Sequence, residues 1–146
     1  MMLDRITPEA VTIVEKCRYG RMLVLAKDQY MGKAFLRHGE YSESEVELWR
    51  QLLQPEAIVA DIGANIGAHT VALASLVHRG LVFAFEPLPT MYRMMVANVA
   101  INGIANVIPF HAAIGAERGS ITVPAIDFTS ESNYGGIALG AWEAGN

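Results

Sequence analysis

One stretch, Val59-Ala60-Asp61-Ile62-Gly63-Ala64-Asn65-Ile66-Gly67, constrains this chain more than any other. The apolar run Ala57 to Ala60 is too brief for a helix and ends at Asp61-Ile62-Gly63, the pattern of a buried parallel strand. Ala68 to Arg79 then carries Leu73, Leu76 and Val77 at helical spacing with Ser75 on the far side. His78 and Arg79 fall in the last turn, and Gly80 is the expected C-cap. Gly63 and Gly67 lack a Cβ, so the backbone can turn sharply between strand and helix and a ligand can approach it closely. Free N–H groups at the start of the helix favour an anionic group, at the end of the strand where open α/β sheets bind ligands.

The same alternation continues downstream. Leu81 to Phe85 reads as a second strand, Thr90 to Ile101 as a helix stopped by Asn102-Gly103, and Asn106 to Phe110 as a third strand. This β-α-β-α-β order implies a parallel sheet with right-handed crossovers. Upstream, Ser42-Glu43-Ser44-Glu45-Val46-Glu47 holds two overlapping S-x-x-E capping boxes, and a helix from about residue 43 to 54 follows, closed by Pro55. Val11 to Glu15 and Met22 to Ala26 suggest a hairpin around Cys17-Arg18-Tyr19-Gly20. The chain thus divides into a lead-in, residues 1–41, and an α/β domain, residues 42–146. Gly135 to Asn146 is glycine-rich without a clear period and reads as loop.

Composition narrows the class. With 52% hydrophobic residues in 146, the chain can build a core. Its single cysteine, Cys17, excludes an internal disulfide framework and a cysteine-built zinc site, which suits a reducing, cytoplasmic setting. Cys17 itself reads as an inert strand or turn residue. No apolar stretch reaches membrane-spanning length. Eleven basic against fifteen acidic residues, with no basic cluster, argue against a dedicated nucleic-acid surface.

Glu86 stands nineteen residues beyond Gly67, at the end of the second strand, where a carboxylate can accept hydrogen bonds from both hydroxyls of a ribose. The pair fits a nicotinamide dinucleotide or S-adenosylmethionine, and the first loop separates them. A G-x-G-x-x-G fingerprint centred on Gly63 would need glycine where Asp61 and Ile66 stand. An acidic residue followed by G-x-N-x-G instead suits a methionine head group, its carboxylate on backbone N–H groups and its ammonium within reach of Asp61.

Val59 to Thr70, Phe83-Ala84-Phe85-Glu86-Pro87 and Asn106 to Gly115 together closely resemble the FkbM family of S-adenosylmethionine-dependent methyltransferases. The similarity starts at Gly39-Glu40-Tyr41-Ser42-Glu43 and runs to Asn133-Tyr134-Gly135-Gly136. The resemblance implies a class I Rossmann-like fold and methylation of a hydroxyl on a sugar, polyketide or related small molecule. It implies that Asp61, Gly63, Ala64, Asn65 and Gly67 form the cofactor loop, that Glu86 binds the ribose, and that Pro87 flanks the adenine. It also brings Tyr41 and Glu43 toward the cofactor pocket, although the local pattern makes Glu43 part of a helix start. Asn65 doubles as a candidate helix N-cap.

Family members continue into a strand with an Asp-x-Glu-Gly segment and further strands, so the chain resembles the N-terminal part of such an enzyme, with about three core strands. No general base is identifiable. The expected consequence is an unpaired edge at Ala57 to Ala60 and uncovered apolar faces on Ala68 to His78, hence self-association. Two other functions fit the nucleoside pattern: a nicotinamide-dependent oxidoreductase and a non-catalytic binding or interaction module. His69 and Thr70 are read as structural, the dispersed His38, His78 and His111 as unrelated to any metal, and Met91, Met94 and Met95 as helix packing.

Overall fold

The computed structural model describes residues 4–137, 139–140 and 142–144, the last three as backbone. It opens with an antiparallel hairpin, β1 (Val11–Cys17) and β2 (Gly20–Leu25), followed by α1 (Met31–His38) and α2 (Glu43–Leu52). A β-α-β-α-β unit comes next: β3 (Ile58–Ile62), α3 (Ala68–Leu76), β4 (Leu81–Phe85), α4 (Pro89–Ile101) and β5 (Val107–Phe110). Its strands form a parallel sheet in the order β3-β4-β5, with β3 at one edge. This is the α/β, Rossmann-like arrangement with a separate N-terminal hairpin that the alternation predicts.

Several elements fall outside the sequence reading. Helix α1 was not anticipated. The glycine-rich C-terminal stretch, expected to be loop, contains a short 3-10 turn at Tyr134–Gly136 and a strand, β7 (Trp142–Ala144), paired antiparallel with β6 (Gly119–Ile121). That pairing joins segments some twenty residues apart, neither of which has an alternating pattern long enough to mark it. Residues 138, 141, 145 and 146 of the expected loop lie outside the described residues.

Helix α3 stops sooner than its pattern suggests. It ends at Leu76, with Val77 as C-cap, so His78 and Arg79 lie beyond it. Gly80 is no cap: a Cβ there would lie 1.9 Å from the carbonyl oxygen of Ala57, and glycine is required because the chain crosses the start of β3 at contact distance.

The layers explain the burial. Val59, Val82 and Val107 face α3 and meet Leu73, Ala74 and Val77, with Trp49 and Leu53 from the α2 region. The other side of α3 and α4 is covered by the hairpin and α1, where Met22, Val24, Leu25 and Phe35 pack with Val71, Met91 and Met94. Helix α3 is therefore buried on nearly every side, Ser75 being its exposed exception. The expectation of bare apolar faces on Ala68 to His78 is corrected accordingly, because the hairpin supplies the missing cover. The methionines are packing residues, as read: Met91 and Met95 are fully buried.

The uncovered surface is the opposite face of the sheet. The register aligns Ile58 with Leu81, Ala60 with Phe83 and Ile108, and Ile62 with Phe85 and Phe110. Ile58 and Ile62 are 69% and 63% exposed, and the rings of Phe85 and Phe110 stack 4.8 Å apart on the same surface.

One buried polar residue joins the layers. Asn98 of α4 accepts from the Leu23 amide at 2.6 Å and donates to the carbonyls of Leu23 and Ile66 at 2.9 and 2.8 Å. With no exposed surface, it replaces water for three backbone groups in the hairpin and the β3–α3 loop. No helix of the described residues is long and apolar enough to cross a membrane.

Candidate functional site

The β3–α3 loop is built from backbone that only particular residues accept. Gly63 and Gly67 hold φ of +80° and +85°, and Asn65 holds +53°, a region that asparagine tolerates better than most side chains. The two glycines do different things. A Cβ on Gly63 would meet nothing within 4 Å, so its α-carbon borders open space. A Cβ on Gly67 would lie 3.0 Å from Met95 Cγ, so that glycine lets α3 seat on α4.

Around Gly63 three hollows adjoin. The largest, about 330 Å³, is lined by Asp28, Tyr41, Ala64, Asn65, His69 and Asn133 among others. A second, about 130 Å³, is bounded by Asn65, Glu86, Pro87, Leu88 and Tyr134. The third, about 150 Å³, is more apolar, with Ile62, Phe85, Pro87, Ala113 and Ile114 in its walls. Gly63 belongs to all three, so the hollows form one trough across the carboxyl ends of β3 and β4.

Glu86 is 4% exposed and held by the backbone at both oxygens. One carboxylate oxygen accepts from the Asn65 amide at 2.8 Å and the other from the Leu88 amide at 2.7 Å. Each oxygen keeps a second lone pair for a ligand hydroxyl. Burial pushes its carboxyl above the ordinary carboxylate range, with these two amides pulling the other way. Asp61 is shifted upward for the same reason, against the pull of the Thr70 hydroxyl and of His69.

Asp61 faces α3, where the Thr70 hydroxyl donates to it at 2.6 Å. It lines none of the three hollows, and neither does Gly67. Gly63, Ala64, Asn65, Glu86 and Pro87 do border them. Asn65 is not the helix cap, which is Gly67. Its side-chain oxygen instead accepts from the Ile66 amide at 2.7 Å, inside the loop. Every amide from Gly63 to Gly67 is engaged within the protein: Gly63 and Ala64 with Phe85, Asn65 with Glu86, Ile66 with Asn65, and Gly67 with Ala64. The first-turn amides of α3, from Ala68 to Thr70, lie outside the helix's own hydrogen bonding, and of these three residues His69 alone borders one of the hollows, Thr70 being fully buried.

Tyr41 and Glu43 part company. Tyr41 borders the 330 Å³ hollow, its phenol pushed up by burial and by the charges of Glu45 and Asp28. Glu43 points to the hairpin, where it accepts from the Tyr19 hydroxyl at 2.7 Å and pairs with Arg18 at 2.8 Å. His69 sits between Tyr41 and Trp49, ring centroids 5.5 and 4.9 Å away, with Nε2 3.3 Å from the Glu45 carboxylate.

Sequence reasoning missed the walls contributed from far away. Asp28, Tyr30 and Met31 come from the turn after the hairpin, and Asn133, Gly135 and Gly136 from the C-terminal segment. The paired glycines were the one visible signal.

The fold is the Rossmann-like one of known S-adenosylmethionine-dependent methyltransferases. The chain is similar to the crystal structure of M. jannaschii TYW2 in complex with AdoMet, at 27% identity and a TM-score of 0.57, covering 73% of this chain and 45% of that one. P. horikoshii TYW2 in complex with MeSAdo shares the fold at 18% identity and a TM-score of 0.55, covering 74% of this chain and 38% of that one. The chain thus spans less than half the length of these structures. Among curated proteins, the antimetabolite synthetase AmbE of Pseudomonas aeruginosa is 46% identical over 48 residues, which is 33% of this chain and 2% of the synthetase. No family model matches the chain.

Proposed function

We propose that this chain binds S-adenosylmethionine and serves a cytoplasmic methyltransferase of the FkbM type, acting on a hydroxyl of a small molecule. The observation that carries the reading is the trough centred on Gly63, with Glu86 in its middle hollow and apolar walls at one end. Glu86 would hold the ribose. Phe85, Pro87 and Ile114 would flank the adenine, and Gly63 leaves room for the ligand beside the loop. At the other end, the start of α3, where His69 borders the hollow, suits the methionine carboxylate. The M. jannaschii and P. horikoshii TYW2 structures, with AdoMet and MeSAdo, support the same cofactor.

Bound S-adenosylmethionine supplies an electrophilic methyl group on a sulfonium. The protein's part is alignment: a fixed loop, a buried carboxylate and a largely preformed trough hold the reactants in one geometry. A small-molecule acceptor is favoured by the character of the trough, whose described lining around the 330 Å³ hollow includes a carboxylate, two phenols, two amides and an imidazole but neither Lys nor Arg, unlike a surface built for a phosphate backbone.

Calorimetric titration with S-adenosylhomocysteine, NAD and NADP tests the assignment. Binding of S-adenosylhomocysteine alone is expected. Tight binding of NAD without S-adenosylhomocysteine would replace the methyltransferase by a nicotinamide-dependent enzyme.

A further inference from the structure

The residue expected to receive the cofactor's ammonium, Asp61, is turned toward Thr70 and lines none of the hollows. Another carboxylate occupies the place that this leaves. Asp28 is the one acidic residue in the described lining of the 330 Å³ hollow, which it shares with Gly63 and Ala64, and it is 3% exposed. Its position is fixed from several sides. One carboxylate oxygen accepts from the Tyr30 amide at 3.0 Å, the Asp28 amide donates to the Leu25 carbonyl, and the Asp28 carbonyl accepts from the Lys33 backbone amide. Asp28 also bridges to Ser132. Gly32 stands where a Cβ would lie 2.2 Å from the Leu25 carbonyl oxygen and 2.9 Å from Asp28 Cβ, so the turn is drawn tight around the carboxylate.

Among the described residues no Lys, Arg or His pairs with Asp28, and its charge is felt instead by the phenols of Tyr41 and Tyr134. A carboxylate this buried, lining an open hollow, is suited to a positive group of a ligand. The end of the trough away from Pro87 is where the methionine moiety would lie, and an ammonium brings three N–H donors. Resting on the cofactor reading above, we propose that Asp28 binds the α-ammonium of S-adenosylmethionine. The methionine end of the site is thereby read by the turn between the hairpin and α1, not by the strand that carries the glycine loop.

The test uses three ligands without the sulfonium: S-adenosylhomocysteine, its des-amino analogue, and 5′-methylthioadenosine. The wild-type protein should bind S-adenosylhomocysteine about tenfold or more tightly than the des-amino analogue, the scale of one charge-assisted hydrogen bond. Asp28→Asn, which keeps the acceptor for Tyr30, should bring the two to near parity while leaving 5′-methylthioadenosine unaffected. Asp28→Ser, followed by thermal melting, provides a second variant should the amide not fold. Equal wild-type affinity for the first two ligands would overturn the proposal, as would a wild-type preference persisting in both folded variants. Failure of the wild-type protein to bind any of the three would instead overturn the cofactor reading beneath it.

Discussion

The Asn65 amide lies 2.8 Å from the Glu86 carboxylate, so the residue proposed to read the ribose also holds the glycine loop in shape. Support and recognition are therefore inseparable at this position. Glu86→Gln keeps the volume but presents an NH₂ group to one of two backbone donors. It should weaken S-adenosylhomocysteine binding by about tenfold or more and lower the melting temperature, since a buried donor left unpaired costs about 1–3 kcal/mol. Calorimetry and a thermal scan on one preparation check both.

Acidity separates the two roles. Burial raises the Glu86 and Asp61 carboxyls above their ordinary values of 4.5 and 3.8, so the folded protein holds these protons more tightly than the unfolded chain. Their contribution to stability is greatest below those ordinary values and is lost as pH rises through the folded ones. Ribose binding follows the opposite sign, because it needs ionised Glu86. Affinity for 5′-methylthioadenosine should fall on acidification at a pH above 4.5, and Glu86→Gln should remove that limb. Titrations at a series of pH values measure it.

The two loop glycines should fail differently. Gly63→Ala places a methyl group in the trough and should abolish binding, with a stability loss of about 1–2 kcal/mol from its left-handed backbone. Gly67→Ala adds a clash with Met95 to the same strain and should lose more stability, while its side chain stays out of the trough. Chemical denaturation beside calorimetry would show the contrast. Equal binding loss in folded forms of both would refute the assignment of Gly63 to the ligand.

Asn98→Leu should be among the costliest single changes, at about 2–4 kcal/mol, because it strands backbone groups of Leu23 and Ile66 in a dry interior. Urea unfolding gives the value directly.

The open sheet face should drive self-association. Ile58→Lys with Ile108→Lys places charge on a surface that is now apolar, and should reduce the scattering mass at high protein concentration without changing cofactor affinity. A wild-type protein that stays monomeric throughout would show that this face is inert.

What could be read from the sequence was whatever depends on near neighbours. The strand-loop-helix junction at Asp61 to Gly67 is local, and so are the alternations that place β4, α4 and β5. Gly80 was misread as a cap because its constraint comes from Ala57 across the turn, not from the helix before it. Asp28 and Asn133 reach the trough only after the hairpin has packed on α4 and the C-terminal segment has paired with residues 27–29, contacts spanning about a hundred positions. Asp61 has the right spacing for a ligand contact, and only the pleat of β3 shows that it points to the helix side.

A helix enclosed as α3 is has little means of moving alone. Its inner side is tied to the sheet and its outer side to residues that precede Tyr41, so the lead-in is structural masonry and not a detachable preface. Trimming the chain to begin at residue 42 would expose Val71, Met91 and Met94 to water and remove Asp28 from the trough in a single cut. Any engineering of this protein, whether by fusion, domain exchange or minimisation, has to carry the hairpin with the glycine loop.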